Sequence, residues 1–205
     1  MKKIIQYNLE ILTCILTVTI LYSVLNWNEL SLLQQMTAIF MLLYTLHEWE
    51  ESRFPGGFYR IFFSKCNIDP NVSEATMHFP VAIYLLVILL VPYSLGESVV
   101  FALIPVVLAI FEGFIHTAGI IIHQLKKPYS PGMITAWIMF AYSIYTIPQL
   151  NSQFKLSAVT WLVGIILTIV SFFIMETQFL KTVGITIKDF QTSMKNHMME
   201  RLNKK

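Results

Sequence analysis

Six long apolar stretches alternate with short polar segments along this chain. They lie near residues 7–27, 31–50, 76–95, 98–124, 132–150 and 157–180. Crossing roughly 30 Å of hydrocarbon takes about 20 helical residues, and each stretch provides about that number. The segments between them contain turn-forming residues, as in Pro55-Gly56-Gly57. The pattern predicts an all-α polytopic membrane helix bundle with six transmembrane helices.

The two ends of the chain differ from each other. Met1-Lys2-Lys3 resembles the start of a signal peptide, but the apolar stretch that follows is too long, contains Glu10 and lacks a cleavage site. We therefore expect a helix there, within a transmembrane domain that covers residues 1–182. In the tail, residues 183–205, apolar residues recur at helical spacing among basic ones: Ile187, Phe190, Met194 and Met198. This predicts a cytoplasmic amphipathic helix on anionic lipid.

Composition supports the membrane class. The chain has 205 residues, of which 56% are hydrophobic and 13% are charged, and its mean hydropathy is +0.64. This excludes a soluble globular domain of ordinary composition, which needs more charge to cover its surface. Cys14 lies in an apolar stretch and Cys66 in a loop, so neither a disulfide framework nor a cysteine metal site is expected.

The distribution of Lys and Arg predicts the orientation. On the predicted topology, Lys155 alone falls on one side, and the other thirteen cations fall on the opposite side. Cytoplasmic loops carry the excess of positive charge, so both termini are predicted to be cytoplasmic. Membrane lipid accounts for the basic tail, and nucleic acid is not an expected partner. Nothing in the sequence specifies an oligomeric state.

Titratable residues within the predicted helices concentrate near their cytoplasmic ends. They are Glu10, His47, Glu50, Glu51, His78, Glu112, His116, His123 and Glu176. Such groups are costly inside a bilayer, so each is a candidate for a functional site. At 100° per residue, Glu112, His116 and His123 fall within about 40° on one helical face. Glu10 and Glu176 are expected to pair with Lys3 or Lys181.

The second helix carries the spacing most typical of a metal site. His47 and Glu51 share one helical face, and a His with a carboxylate four residues later can chelate one ion. The predicted metal ligands are His47, Glu51 and His116, with Glu112, His123 and His78 as further candidates. Glu50 and Glu112 are the candidate catalytic residues, Glu50 as general base. Glu48 is expected to face solvent.

The segment His47-Glu48-Trp49-Glu50-Glu51 resembles a family of bacterial membrane proteins named for its HxxEE motif. Arg53-Phe54-Pro55-Gly56-Gly57 and His116 are also similar to that family, and the resemblance covers the first four predicted helices. It implies an integral protein of a bacterial inner membrane with His47, Glu50 and Glu51 as signature residues, and it implies no reaction. The segment is also similar to the inverted zincin motif HxxEH, with Glu51 in place of the second histidine.

Three functions remain open at this stage. The first is a metal-dependent enzyme acting on a lipidic or amphiphilic small molecule, with zinc and hydrolysis favoured over an iron oxidase or hydroxylase. The second is a small proton-coupled transporter in which the same His and Glu residues form a relay. The third is a membrane scaffold, in which these residues only hold helices together or form a solvated helix end.

Overall fold

The computed structural model of the protein describes residues 2–64, 71–123 and 125–202, and within these ranges its regular elements are all helical. This confirms the predicted all-α class. The helices are α1 (Lys2–Gln6), α2 (Asn8–Leu25), α3 (Leu32–Ser52), α4 (Phe58–Phe62), α5 (Glu74–Leu95), α6 (Val99–His123), α7 (Met133–Phe154), α8 (Ala158–Thr182) and α9 (Ile187–Leu202). The predictions that concern Lys65, Cys66, Lys204 and Lys205, and the side chains of Met194 and Met198, lie outside the described part.

Short polar residues determine where several helices begin. Ser31 caps α3 in a capping box. Its hydroxyl accepts from the backbone N–H of Gln34, and the side-chain oxygen of Gln34 accepts from the backbone N–H of Ser31. Ser73 caps α5 and Ser157 caps α8 in a similar way. α7 instead begins after Gly132, whose φ of +87° lies in the left-handed region that favours glycine.

Four of the described helices are long and apolar enough to cross a membrane: α2, α5, α6 and α8. α3 and α7 have 21 and 22 residues, so they are about 32 and 33 Å long at 1.5 Å per residue. They are long enough to cross a membrane, but their polar residues make them less apolar than the other four helices. In α3 most polar side chains are buried against other helices, where they meet protein groups and not lipid. The protein therefore has several membrane-like helices, and a count of six spans stays a prediction.

The long helices run in alternating directions, and the contacts between their ends show this. At one end of the bundle, the start of α2 meets the start of α5 and the end of α3 through Asn8, His78 and Glu48. At the opposite end, Ser31 before α3 donates to the carbonyl of Gly96 after α5, at 2.6 Å. One end of the bundle therefore contains the starts of α2, α5 and α7 and the ends of α3, α6 and α8. The candidate site lies at this end.

Candidate metal centre

Four side chains from α3 and α6 converge in the interior of this end of the bundle. Oε1 of Glu51 lies 3.5 Å from Nε2 of His47 and 3.0 Å from Nε2 of His116. Oε2 of Glu112 lies 3.9 Å and 3.7 Å from the same two nitrogens. His47, Glu51 and His116 are almost completely buried, whereas the side chain of Glu112 keeps 18% of its surface exposed. The structure thus brings together two imidazoles and two carboxylates.

The separations in this cluster match those of ligands around one small cation. Donor atoms that bind zinc tetrahedrally at about 2.0–2.1 Å lie about 3.3 Å from each other. The four His–Glu separations, 3.0 to 3.9 Å, bracket that value. One ligand atom from each of His47, Glu51 and His116 can be chosen so that all lie within 4.8 Å of one another. The cluster could therefore hold a metal, and its geometry does not identify which one.

The ring of His47 is oriented for metal binding by the start of α7. Its Nδ1 lies 3.1 Å from the carbonyl oxygen of Gly132 and 2.9 Å from Oγ1 of Thr135. A carbonyl oxygen can only accept, so Nδ1 carries the proton that is donated to it. In the neutral imidazole, Nε2 then presents a lone pair toward the oxygens of Glu51 and Glu112. The lone pair of a nitrogen and the oxygens of a carboxylate repel each other unless a cation lies between them.

His116 has the same arrangement with different partners. The Ser130 hydroxyl donates to the carbonyl oxygen of His116 at 3.3 Å, so it accepts from Nδ1 of the same residue at 3.1 Å. On the other side of the ring, Nε2 is buried and has no hydrogen-bond partner among the described residues. The 3.0 Å separation from Glu51 is therefore a close approach without hydrogen-bond geometry. A buried polar atom without a partner is costly, and a bound metal ion would satisfy this one.

Gly132 provides the space in which the cluster fits. A Cβ atom on this residue would lie 2.6 Å from Cγ of Glu51, 2.6 Å from Cε1 of His116 and 2.9 Å from Cε1 of His47. These separations are too short for any side chain, so the backbone at the start of α7 closes the cluster from one side. Gly132 could not be assigned to the site from the sequence, where Pro131-Gly132 at the start of a predicted helix was the available signal.

Glu50 points away from the cluster and toward the first turn of α7. Its carboxylate accepts from the Tyr129 hydroxyl at 2.8 Å, the Thr135 hydroxyl at 2.6 Å, and the backbone amides of Ile134 and Thr135 at 3.2 and 2.9 Å. A carboxylate is stabilised there by the free amides and the positive end of the helix dipole. Burial and the bonded Glu50 raise the pKa of Tyr129 above its usual range, so its hydroxyl remains a donor.

A second buried polar group lies beside the cluster, and the expectation that Glu48 faces solvent is wrong. Glu48 is 3% exposed, and its Oε2 lies 2.6 Å from Nε2 of His78. Nδ1 of His78 is hydrogen-bonded to Oδ1 of Asn8, and the side-chain Nδ2 of Asn8 donates to the carbonyl oxygen of Ala75 at 2.7 Å. Helix α3 packs against α2 and α5 as well as α6 and α7, so both faces of its end are covered.

The remaining candidates lie apart from the four-residue cluster. His78 is engaged by Glu48 and Asn8, and His123 lies in the last turn of α6, two turns beyond His116. Neither belongs to the group of ligand atoms around His47. Glu10 pairs with Arg53 at 2.9 Å and not with Lys3. Glu176 lines a cavity next to the cluster, and the ion pairs found among the described residues do not join it to Lys181.

A cavity of about 170 Å³ adjoins the cluster. His47, Glu48, Glu51, Glu112 and Glu176 form its polar lining. Most of the wall is apolar and aromatic: Phe58, Tyr59, Phe63, Val81, Phe111, Ile115, Phe172, Met175, Phe179 and Phe190. Glu50 is not among these described lining residues. Because ligand sites combine apolar walls with a few convergent polar groups, this cavity is the candidate binding site.

Comparison with known protein families matches the part of the chain that contains the candidate site. The model of a family described as "Protein of unknown function with HXXEE motif" matches residues 38–146, which is more than half of the chain. This range contains His47, Glu50, Glu51, His116 and Gly132, and therefore most of the site described above. No curated protein and no solved structure shows significant similarity to the chain.

Proposed function

We propose that this chain, which belongs to the family of proteins of unknown function with an HXXEE motif, is a metal-dependent membrane hydrolase. His47, Glu51 and His116 hold one divalent ion, zinc in preference to iron, with Glu112 as a fourth ligand or as the general base. The substrate is a lipidic or amphiphilic small molecule that enters the aromatic cavity. The observation that supports this most directly is the unpartnered Nε2 of His116, which faces Glu51 within a buried His/Glu cluster.

The residues divide the proposed chemistry between them. A bound zinc ion would polarise a carbonyl group and make a water molecule more acidic. Gly132, Thr135 and Ser130 fix the two imidazole rings through Nδ1, which is the usual way in which neighbouring groups orient a metal-binding histidine. Glu112 lies at the cavity wall with part of its side chain exposed, so one of its oxygens could accept a proton from an attacking water.

The structure favours Glu112 over Glu50 for the proton-accepting role. The oxygens of Glu50 already accept four hydrogen bonds from α7 and Tyr129. A base in that position would have to give up these bonds before it could take a proton. The proposed role of Glu50 is therefore to hold the start of α7, including Gly132, against the end of α3.

The proposal places the site in a membrane of defined orientation. Six spans, both termini in the cytoplasm and a bacterial inner membrane remain the expected arrangement. Arg53 and Arg60 lie at the same end of the bundle as the cluster, where they pair with Glu10 and Glu74. Since the cytoplasmic side is the one enriched in cations, the site is proposed to lie in the cytoplasmic half of the bilayer. A substrate would then reach the cavity from the inner leaflet.

Metal analysis of purified protein that was never exposed to chelator tests the proposal. We expect about one zinc per chain in the wild type, and loss of most of it in His116→Ala, because one of three buried ligands is removed. His123→Ala is the matched control, since it removes an imidazole from the same helix two turns further on. It should keep the metal.

Two results would count against a metal enzyme. Wild-type protein without stoichiometric transition metal would favour the proton-relay or scaffold function for the same residues. Equal loss of metal in His116→Ala and His123→Ala would mean that the metal is not held by the cluster. Circular dichroism of each variant checks that the helices still form.

A further inference from the structure

Apart from Glu48, which His78 engages, the cavity contains one carboxylate that the proposed metal site does not use. Glu176 lies on α8, four residues after Phe172 and three residues before Phe179, and all three line the cavity. Residues at this spacing share one helical face, so Glu176 is part of the stripe of α8 that faces the cavity. The His/Glu cluster contributes from α3 and α6, whereas Glu176 contributes from a third helix.

The described residues around the cavity include more acidic than basic side chains. In the proposed site, Glu51 and Glu112 neutralise a divalent ion, and both histidines are neutral. Glu176 adds a further acidic group, and none of the described residues that line the cavity is Lys or Arg. A carboxyl group in a largely apolar wall is stable when it is protonated, and its ionised form is costly unless a cation pairs with it. The described ion pairs of the chain do not provide that cation, so a ligand is the natural source.

The aromatic rings near Glu176 suit the apolar part of a ligand. Phe179 stacks on Phe63 with ring centroids 4.8 Å apart and on Tyr59 at 5.8 Å, so Phe179 is engaged by other rings. One turn before Glu176, Phe172 packs edge-on against Phe111 at 5.1 Å. The wall therefore provides apolar surface for a hydrocarbon chain, and the carboxylate of Glu176 provides the attraction for an alkylammonium group.

The size of the cavity limits the rest of the ligand. Its volume of about 170 Å³ is below the roughly 300–1,000 Å³ that is typical of sites for drug-sized ligands. A lipid with two acyl chains is therefore too large to be enclosed, and one narrow chain is a better match. The mostly apolar wall fits a hydrocarbon chain, and Glu176 adds an acidic group that attracts a cationic headgroup and repels an anionic one.

We propose that Glu176 binds the ammonium group of a single-chain amphiphile, and that the substrate of this protein is an amine-bearing lipid. The inference rests on the proposed function for the reaction itself, but the binding of the amine is a separate property of Glu176. Glu176 selects the ligand, and the His/Glu cluster acts on a group elsewhere in the same molecule.

Ligand-induced thermal stabilisation in one kind of maltoside micelle tests this. The probes are n-decylamine, n-decanol and n-decyl phosphate, which share a chain and differ in the headgroup. The proteins are wild type, Glu176→Gln and Glu97→Gln; the last makes the same chemical change at an exposed carboxylate at the opposite end of the bundle. A ligand that binds the folded state at free concentration L stabilises it by RT ln(1 + L/Kd), so the rise of Tm with ligand concentration gives an apparent Kd.

We expect n-decylamine to stabilise the wild type and Glu97→Gln to the same extent. In Glu176→Gln its apparent Kd should rise about tenfold or more, the loss expected for one charge-assisted hydrogen bond. The weaker effect of n-decanol should be equal in all three proteins, which excludes differences in micelle partitioning. Equal binding of n-decylamine by wild type and Glu176→Gln would overturn the proposal, and so would an about tenfold weaker binding of n-decyl phosphate in Glu176→Gln.

Metal content measured on the same samples separates this proposal from the proposed function. Glu176→Gln should retain the wild-type metal content, because Glu176 is not one of the clustered ligands. Wild-type protein that lacks metal but binds n-decylamine through Glu176 would disprove the metal enzyme and support the amine site. Protein that holds metal but binds n-decylamine equally well in wild type and Glu176→Gln would support the metal site and disprove the amine site.

Discussion

At Gly132, the backbone approaches three side chains of the cluster so closely that there is no room for even one methyl group. The residue also has a left-handed φ of +87°, which glycine adopts at low cost. Its carbonyl oxygen accepts from Nδ1 of His47. One residue without a side chain therefore determines both the packing and the ring orientation of a proposed ligand.

The substitution Gly132→Ala should lower metal content, because the new Cβ would displace Glu51, His116 and His47 from their present separations. Gly184→Ala is the matched control, since Gly184 has a φ of +76° and no described atom lies within 4 Å of the Cβ position. Both variants carry backbone strain of about 1–3 kcal/mol. Metal per chain and Tm are the measurements, and equal metal content in the two variants would contradict the crowding argument.

At Glu50, stability measurements can detect the proposed positioning role. Glu50→Gln places an amide N–H₂ among four donors, so at least one of the hydrogen bonds to α7 or Tyr129 is lost. We expect unfolding free energy to fall by about 1–3 kcal/mol. Glu97→Gln, an exposed carboxylate in a loop, should change it by less than about 0.5 kcal/mol. Unchanged stability in Glu50→Gln would show that these hydrogen bonds contribute little.

Among the helices, α3 occupies the central position because both faces of its last turns are used. One face presents His47 and Glu51 to α6 and Glu50 to α7, and the other presents Glu48 to His78 on α5. Trp49 donates to Thr13 of α2 at 2.8 Å. The segment from His47 to Glu51 therefore contacts four neighbouring helices with consecutive side chains.

Removal of one member of the Glu48–His78 pair should destabilise the bundle without removing the metal. His78→Ala leaves Glu48 buried without its partner, which costs about 3–5 kcal/mol for pairs of this kind. The double variant Glu48→Leu with His78→Leu should recover a large part of the loss, because no unpaired charge is left. Tm and metal content of the single and double variants are the measurements. Loss of metal in His78→Ala at a temperature where it is folded would show that His78 is a ligand.

For the whole molecule, the central question is how the bundle lies in the membrane. Large apolar side chains of α8 are exposed along its length, for example Leu162, Ile169 and Phe173 at 56%, 61% and 58%. Such a face suits lipid and not water. α9 follows at the end that contains the site, and its Ile187 and Phe190 pack against the aromatic cluster of α4 and α8.

Reporter fusions test the expected orientation. A reporter placed after Lys127 should be cytoplasmic, and one placed after Lys155 should be on the opposite side, because α7 would cross between them. A third fusion after Leu202 should again report the cytoplasm. If the first two fusions report the same side, α7 does not span the membrane, and the six-span arrangement is wrong.

Much of the architecture was determined by local sequence. Apolar stretches of about 20 residues predicted the long helices, because helix length and hydropathy are properties of consecutive residues. The i, i+4 spacing of His47 and Glu51, and of Glu112 and His116, placed each pair on one face, because the helical period is fixed. The HxxEE segment itself also indicated the family to which the chain belongs.

Only the tertiary structure decided which of these faces meet. The rotation of each helix about its axis depends on packing against all its neighbours, and the period of a single helix does not contain that information. For this reason Glu48 could not be recognised as buried, nor His78 as its partner instead of a member of the cluster. The same holds for Gly132, Ser130 and Thr135, which lie far from His47 along the chain. They reach the cluster because α7 packs against the ends of α3 and α6 and thereby brings its first turn to the two histidines.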